Sequence, residues 1–142
     1  MDSSFRFGTC HFGNLKREVS LTFFFQIRIL SGTLKEFAKK QEIDETMLLS
    51  ILRSLDLDRE QFVKNMEEFS EGQKKKVLIA ASLLTPAHLY LWDEPLNYID
   101  VFSRMQIEKL IAQFQPTMLI VEHDARFAKK LATKVVDLSG SV

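Results

Sequence analysis

Two short apolar runs in this sequence stop abruptly at ionisable side chains. HLYLW (88–92) runs into Asp93 and Glu94, and TMLIV (117–121) runs into Glu122 and His123. Both read as buried strands of a parallel sheet, and in such sheets ligands bind in the crevice outside the carboxyl ends of the strands. Asp93, Glu94, Glu122 and His123 are therefore expected on one rim. Two carboxylates beside an imidazole suit a divalent cation and a positioned water; the competing reading is that strand-end acids merely cap the helices that follow. A second group lies upstream, in FSEGQ (69–73). There Ser70 and Gly72 open a helix whose first N–H groups and dipole favour an anion. Gly72 has no side chain to block a phosphate, although a well-capped helix alone would account for the same five residues.

The elements that must position these groups are legible from spacing. Leu34, Phe37 and Ala38 fall at helical intervals in TLKEFAKKQ, and IDETMLLSILRSLDL predicts a better helix. Asp44 caps that helix, Ile43 and Leu48 form a staple, and Met47, Leu48, Ile51, Leu52 and Leu55 make its apolar face. Arg59–Met66 reads as a further short helix with Phe62, Val63 and Met66 inward. Ser70 and Gln73 have capping-box spacing ahead of a helix that buries Val77, Leu78, Ala81 and Leu84. Asp100 opens a helix through Phe114, with Ile107, Leu110, Ile111 and Phe114 inward. Residues 125–132 read as helix, and Lys134–Leu138 as a final strand. From residue 70 the order is α-β-α-β-α-β, which implies an α/β fold with a parallel sheet.

Composition narrows the classes. The 142 residues are 46% hydrophobic and 27% charged, with 19 basic and 19 acidic side chains. That apolar fraction supports a core and excludes a disordered chain, while a net charge of zero argues against a nonspecific nucleic-acid coat. No apolar run approaches the ~20 residues that span a bilayer. The one cysteine, Cys10, excludes an internal disulfide framework and a Cys-based zinc site, so a cytoplasmic setting is expected. Residues 1–30 are different in kind: they hold six of the twelve Phe residues and six charges, show neither helical nor strand period, and do not read as a signal peptide. Trp92 is expected in the core, His88 at the opening of its strand, and Lys74-Lys75-Lys76 on a solvated helix face. His11 and Cys10 suggest no chemistry.

Taken in order, FSEGQKKKVLIAASLL, HLYLWDEPLNYIDV and MLIVEHDARF resemble the second half of an ATP-binding cassette nucleotide-binding domain. FSEGQ matches the signature motif, LYLWDE matches Walker B with its adjacent glutamate, PLNYID matches the D-loop, and His123 matches the switch histidine. The resemblance covers 31–142, with 33–69 as the helical subdomain and 70–142 as signature helix and α/β core; 1–30 stays unassigned. DEPLNYID is similar to the DEPTNHLD pattern of ABC-F proteins, and the wording from TLKEFAKKQ onward resembles the C-terminal cassette of their ribosome-protection branch, which counters lincosamides, pleuromutilins and streptogramin A.

The resemblance implies ATP and Mg2+ as ligands. It implies that Asp93 holds the magnesium through water, that Glu94 orients or deprotonates the attacking water, and that His123 contacts the γ-phosphate. Ser70, Gly72 and Gln73 would touch the γ-phosphate of an ATP held by an opposite cassette, and Asp100 would couple the two sites. Implied partners are that second cassette and, for an intact parent, the ribosome and its RNA, with no membrane. This chemistry is mostly positioning and charge stabilisation.

Departures from the family pattern bear on activity. No G-x-x-x-x-G-K-[ST] loop occurs; Gly8 and Gly13 have its spacing, but Asn14-Leu15 stands where Lys-[ST] belongs. The P-loop strand, the adenine platform, the N-terminal β-subdomain and the linker between cassettes have no counterpart. Gln26 falls near the position of the Q-loop glutamine, and Glu71 replaces a glycine of the signature. The expectation is a partial P-loop NTPase (ABC ATPase) domain that alone does not hydrolyse ATP. The rival readings are a non-catalytic product of a disrupted gene, a half-site donating its signature to another cassette, and a metal-dependent hydrolase unrelated to nucleotides.

Overall fold

The computed structural model describes residues 30–137 throughout and the backbone alone of residues 9–10 and 19–24. Expectations for Gly8, His11, Gly13, Gln26 and Leu138, and for the Cys10 side chain, lie outside these residues. In chain order the elements are β1 (Thr9–Cys10), β2 (Val19–Phe24), α1 (Leu34–Lys40), α2 (Glu45–Ser54), two 3-10 helices (Arg59–Val63 and Met66–Glu68), α3 (Glu71–Leu84), β3 (Leu89–Asp93), α4 (Val101–Phe114), β4 (Met118–Val121) and α5 (Ala125–Leu131).

Helix starts are set by short polar side chains that satisfy the otherwise orphaned first N–H groups. Thr33 and Ser70 each form a complete capping box, with Glu36 and Gln73 returning the bond. Asp44 accepts from Met47 N at 2.7 Å, Asp100 from Ser103 N at 2.8 Å, and Asp124 from Phe127 N at 3.1 Å. The expected inward faces of α1 and α2 pack in the core through Leu34, Ala38, Leu48, Ile51, Leu52 and Leu55, but Met47 is half exposed. Residues 59–68 do not make one α-helix. Lys64 and Asn65 are extended, and Met66 N is drawn to Gly32 O at 2.9 Å, so the segment breaks into two tight turns. Met66 is fully buried, Phe62 partly so, and Val63 is 81% exposed.

The sheet runs β1-β2-β3-β4. β2, β3 and β4 are parallel, with Phe23 opposite Leu91 and Leu91 opposite Leu119, while β1 pairs antiparallel with β2. A parallel sheet is as expected, but its third strand comes from upstream, in a segment without readable period. Lys134–Asp137 is not a strand, and Val135 and Val136 are exposed. β4 forms where expected but is not buried on both faces. Met118 and Ile120 turn towards the helices, whereas Leu119 and Val121 are 61% and 48% exposed. Phe114, expected inward, is likewise 44% exposed at the end of α4.

One core joins the helical region to the sheet. Trp92 and Tyr90 of β3 pack with α3 and with Ile107 and Ile111 of α4. Trp92 Nε1 donates to Ser82 Oγ at 2.9 Å, and Tyr90 Oη to Thr85 O at 2.8 Å, so each aromatic polar tip is satisfied. α3 is enclosed on almost every side: Val77, Ile79, Ala80, Ala81 and Leu83 are all buried.

Candidate functional site

The carboxyl end of β3 carries the first group. The ladder continues past Asp93, since Glu94 N donates to Val121 O at 2.9 Å. Glu94 itself has φ +46°, a left-handed conformation that non-glycine residues adopt at a cost. This turns the chain out of the sheet and sends the Glu94 side chain to the end of β4. Its Oε1 lies 3.1 Å from His123 Nε2, and its Oε2 accepts from Asn97 Nδ2. The His123 ring is 85% exposed, so the pair stands open at the sheet rim, within reach of a water or a phosphate. Asp93 is exposed at the last strand position.

Glu122, expected on the same rim, has another task. Its Oε1 accepts from Leu96 N at 3.0 Å and its Oε2 from His123 N at 2.9 Å, so it ties the loop after β3 to the loop after β4. Arg104 braces the same two loops, donating to Leu96 O and Ile99 O and pairing with Asp124 at 3.4 Å.

The amino end of α3 meets the other side of the 94–100 loop. A Cβ on Gly72 would come within 2.5 Å of Tyr98 O, so glycine here admits the loop backbone against the helix. Ser70 Oγ accepts from Gln73 N at 3.2 Å, and Gln73 Oε1 accepts from Ser70 N at 2.9 Å. The capping box thus orders both side chains, leaving the Ser70 hydroxyl hydrogen and the Gln73 amide N–H groups as donors. Asp100 closes the loop: it caps α4, accepts from Ser103 Oγ at 2.7 Å and pairs with Lys76 Nζ at 3.0 Å. Burial works to raise its carboxyl, but the Ser103 N–H and hydroxyl and the Lys76 ammonium outweigh this and hold it well below the ordinary range.

The lysine run does not form a solvated face. Lys75 and Lys76 are 8% and 7% exposed, while Lys74 keeps partial contact with water beside Glu71. Lys75 Nζ donates to Glu94 O at 2.8 Å. Burial lowers its pKa, opposed by the carboxylates of Glu122, Glu94 and Asp93 around it. Spacing alone gave no signal for Lys75, Asn97 or Arg104. For Lys75 the clue was the apolar run VLIAASLL that follows the lysines, interrupted only by Ser82.

Among the described residues no cluster of three or more His, Cys, Asp or Glu could hold a metal. A single exposed strand-end carboxylate suits Mg2+, which keeps several waters and takes one or two carboxylates together with phosphate oxygens. No helix among the described residues is long and apolar enough to cross a membrane.

The ABC transporter family matches residues 11–97, more than half of the chain and a stretch that includes β2. The probable ATP-binding protein YheS of Haemophilus influenzae is 30% identical over 89 residues, which are 63% of this chain and 14% of the relative. Among solved structures, the archaeal ribosome recycling factor aABCE1, crystallised with the ribosomal stalk protein aP1, superposes with a TM-score of 0.64 at 26% identity, covering 84% of this chain and 25% of the other. The cassette MJ0796, solved as a post-hydrolysis dimer bound to ADP and Pi, gives a TM-score of 0.65 at 21% identity over 78% of this chain and 55% of that one. The chain spans about one seventh of the length of the curated relatives it matches. The fold is that of the ABC ATPase branch of P-loop NTPases, present as part of a domain: helices on a small parallel sheet.

Proposed function

This chain belongs to the ABC transporter family, and we propose from that premise that it is the signature-bearing, C-terminal part of an ABC-F type cassette that binds and hydrolyses ATP once paired with a P-loop-bearing cassette. The observation that carries the reading is the Glu94–His123 contact at 3.1 Å on the rim of the sheet. It puts a carboxylate able to take a proton from water beside an imidazole able to meet the γ-phosphate, with no metal needed to join them. Asp93 would hold Mg2+ through water, the ion supplying charge neutralisation at the phosphates. Ser70, Gly72 and Gln73 would face the γ-phosphate of an ATP on the opposite cassette, and Asp100, half exposed beyond its Lys76 pair, would couple the two sites.

DEPLNYID supports the ABC-F assignment, and the wording from TLKEFAKKQ onward supports a parent acting on the ribosome by target protection in antibiotic resistance. The structural likeness to a ribosome recycling factor agrees with a ribosomal target. Such a parent would be cytoplasmic. The 142-residue chain alone is expected to show no ATP hydrolysis, since no G-x-x-x-x-G-K-[ST] loop occurs in it. The test is MgATP turnover by the chain alone and mixed with a separately expressed P-loop-bearing cassette. Turnover only in the mixture, lost in Glu94→Gln, is the expected result. Turnover by the chain alone that disappears in Glu94→Gln would overturn the proposal.

A second reading is a half-site that donates FSEGQ to another chain without hydrolysing ATP itself. It is favoured by a signature helix fully formed among the described residues, with its capping box and its glycine packed against the 94–100 loop. In that case the mixture associates in an ATP-dependent way, but Glu94→Gln changes nothing.

A further inference from the structure

We infer that Lys75 is a positioning residue for Glu94, holding the Glu94 peptide from the signature helix so that its carboxylate meets His123. The inference rests on the reading of Glu94 as the water-orienting carboxylate. Its starting point is the break in the ladder at the end of β3. Glu94 N still bonds to Val121 O, but at φ +46° the chain leaves the sheet, and the Glu94 carbonyl no longer has a strand neighbour to accept from. It accepts instead from Lys75 Nζ at 2.8 Å and, more distantly, from Asn97 N at 3.4 Å. With the N–H fixed by β4 and the carbonyl fixed by α3, both flanking peptides of Glu94 are set. The direction of its Cα–Cβ bond follows.

The residue type at 75 is informative. An ammonium group loses hydration at this buried turn, and the carboxylates of Glu122, Glu94 and Asp93 nearby offset part of that loss. A fixed acceptor gives that ammonium its direction: the carbonyl of the residue whose carboxylate meets the His123 ring. Lys76, the next residue, pairs with Asp100 at the far end of the same loop, and Gly72 admits Tyr98 O between them. Consecutive residues of α3 thus hold both ends of the 94–100 loop. A displacement at the signature would reach Glu94 through Lys75 rather than through the sheet.

The test uses the full chain, isotopically labelled and without nucleotide, so that it stands apart from any success or failure of ATP turnover. In the unsubstituted protein the Lys75 ammonium protons should exchange slowly and correlate across the hydrogen bond with the Glu94 carbonyl carbon. Glu94→Gln should displace the His123 imidazole resonances. In a Lys75→Met background that displacement should fall to less than half, and Lys75→Arg, which keeps a donor, should restore most of it. A displacement in Lys75→Met equal to that in the unsubstituted chain overturns the inference. If Lys75→Met does not fold, the unsubstituted protein decides: ammonium protons exchanging as fast as those of a surface lysine, with no correlation to Glu94, overturn it equally. Loss of turnover in the paired assembly with this coupling intact would instead count against the hydrolytic reading alone.

Discussion

Gly72 and Asp100 hold the same loop by opposite means, one by lacking a side chain and the other by its charge. At Gly72 the obstacle is backbone, not a flexible side-chain end: an added Cβ would sit 2.5 Å from Tyr98 O. Gly72→Ala therefore forces the helix and the loop apart, and overpacking of this kind costs about 1–3 kcal/mol. Urea denaturation should show that loss, whereas Ser70→Ala should lose about 1 kcal/mol through its cap alone. Equal stability of Gly72→Ala and the unsubstituted chain would show that the loop yields freely. At Asp100 the effect is one of pH. Its carboxyl titrates well below the unfolded value of 3.8, so between those two points the unfolded chain binds more protons. Stability from this group is complete above the unfolded value and is lost as pH falls through it and below. Asp100→Asn should flatten the acid limb of the curve of urea midpoint against pH between about 5 and 3, while lowering the midpoint at pH 7. An acid limb as steep as before would place that dependence on other carboxylates.

At the scale of elements, the capped α-helices were legible, whereas the 59–68 segment and the sheet were only partly so. A helix announces its start locally: Asp44, Ser70, Asp100 and Asp124 each stand before an apolar period and each caps. A strand is completed by its neighbours. VVDL after Lys134 has strand composition, but Lys134–Asp137 forms none, whereas Val19–Phe24, without a readable period, pairs with β3 over four positions. The site divides the same way. Asp93, Glu94 and His123 were legible because strands end on them, but the use of Glu122 as a brace and of Lys75 as a buried donor depends on which loop folds over which helix.

β4 carries the element-scale prediction. Among the described residues it pairs only with β3, and it exposes Leu119 and Val121, an apolar edge of the kind that recruits other chains. Replacing both by Thr keeps the β-branched shape at 121 and introduces it at 119, so fold stability should change by no more than about 0.5 kcal/mol per site. Self-association measured by light scattering should fall. Unchanged scattering would mean that another surface drives association.

At the scale of the whole molecule, the residues of the proposed reaction fall into two sets that face different ways. Asp93, Glu94 and His123 stand at the strand ends, with a carboxylate and an imidazole in contact. Ser70, Gly72 and Gln73 stand at the start of α3, on the other side of the 94–100 loop that Lys75 and Lys76 hold. In the proposed reaction one group would act on a water and the other on a phosphate presented from outside, so substitutions in the two sets should fail differently in the mixture with a P-loop-bearing cassette. Glu94→Gln removes the proton acceptor but keeps the shape and an acceptor oxygen for Asn97. Turnover should drop by about 10²-fold or more, the scale of general base catalysis, while MgATP-dependent association, read by size-exclusion chromatography with light scattering, persists. Ser70→Ala with Gln73→Ala removes donors to the presented phosphate, so association should weaken and turnover fall only in proportion to the complex lost. Raising the partner concentration should then recover turnover in the signature variant and leave Glu94→Gln as slow as before. If both variants respond alike to partner concentration, the two sets do not divide the reaction between them, and the loop joining them serves the fold alone.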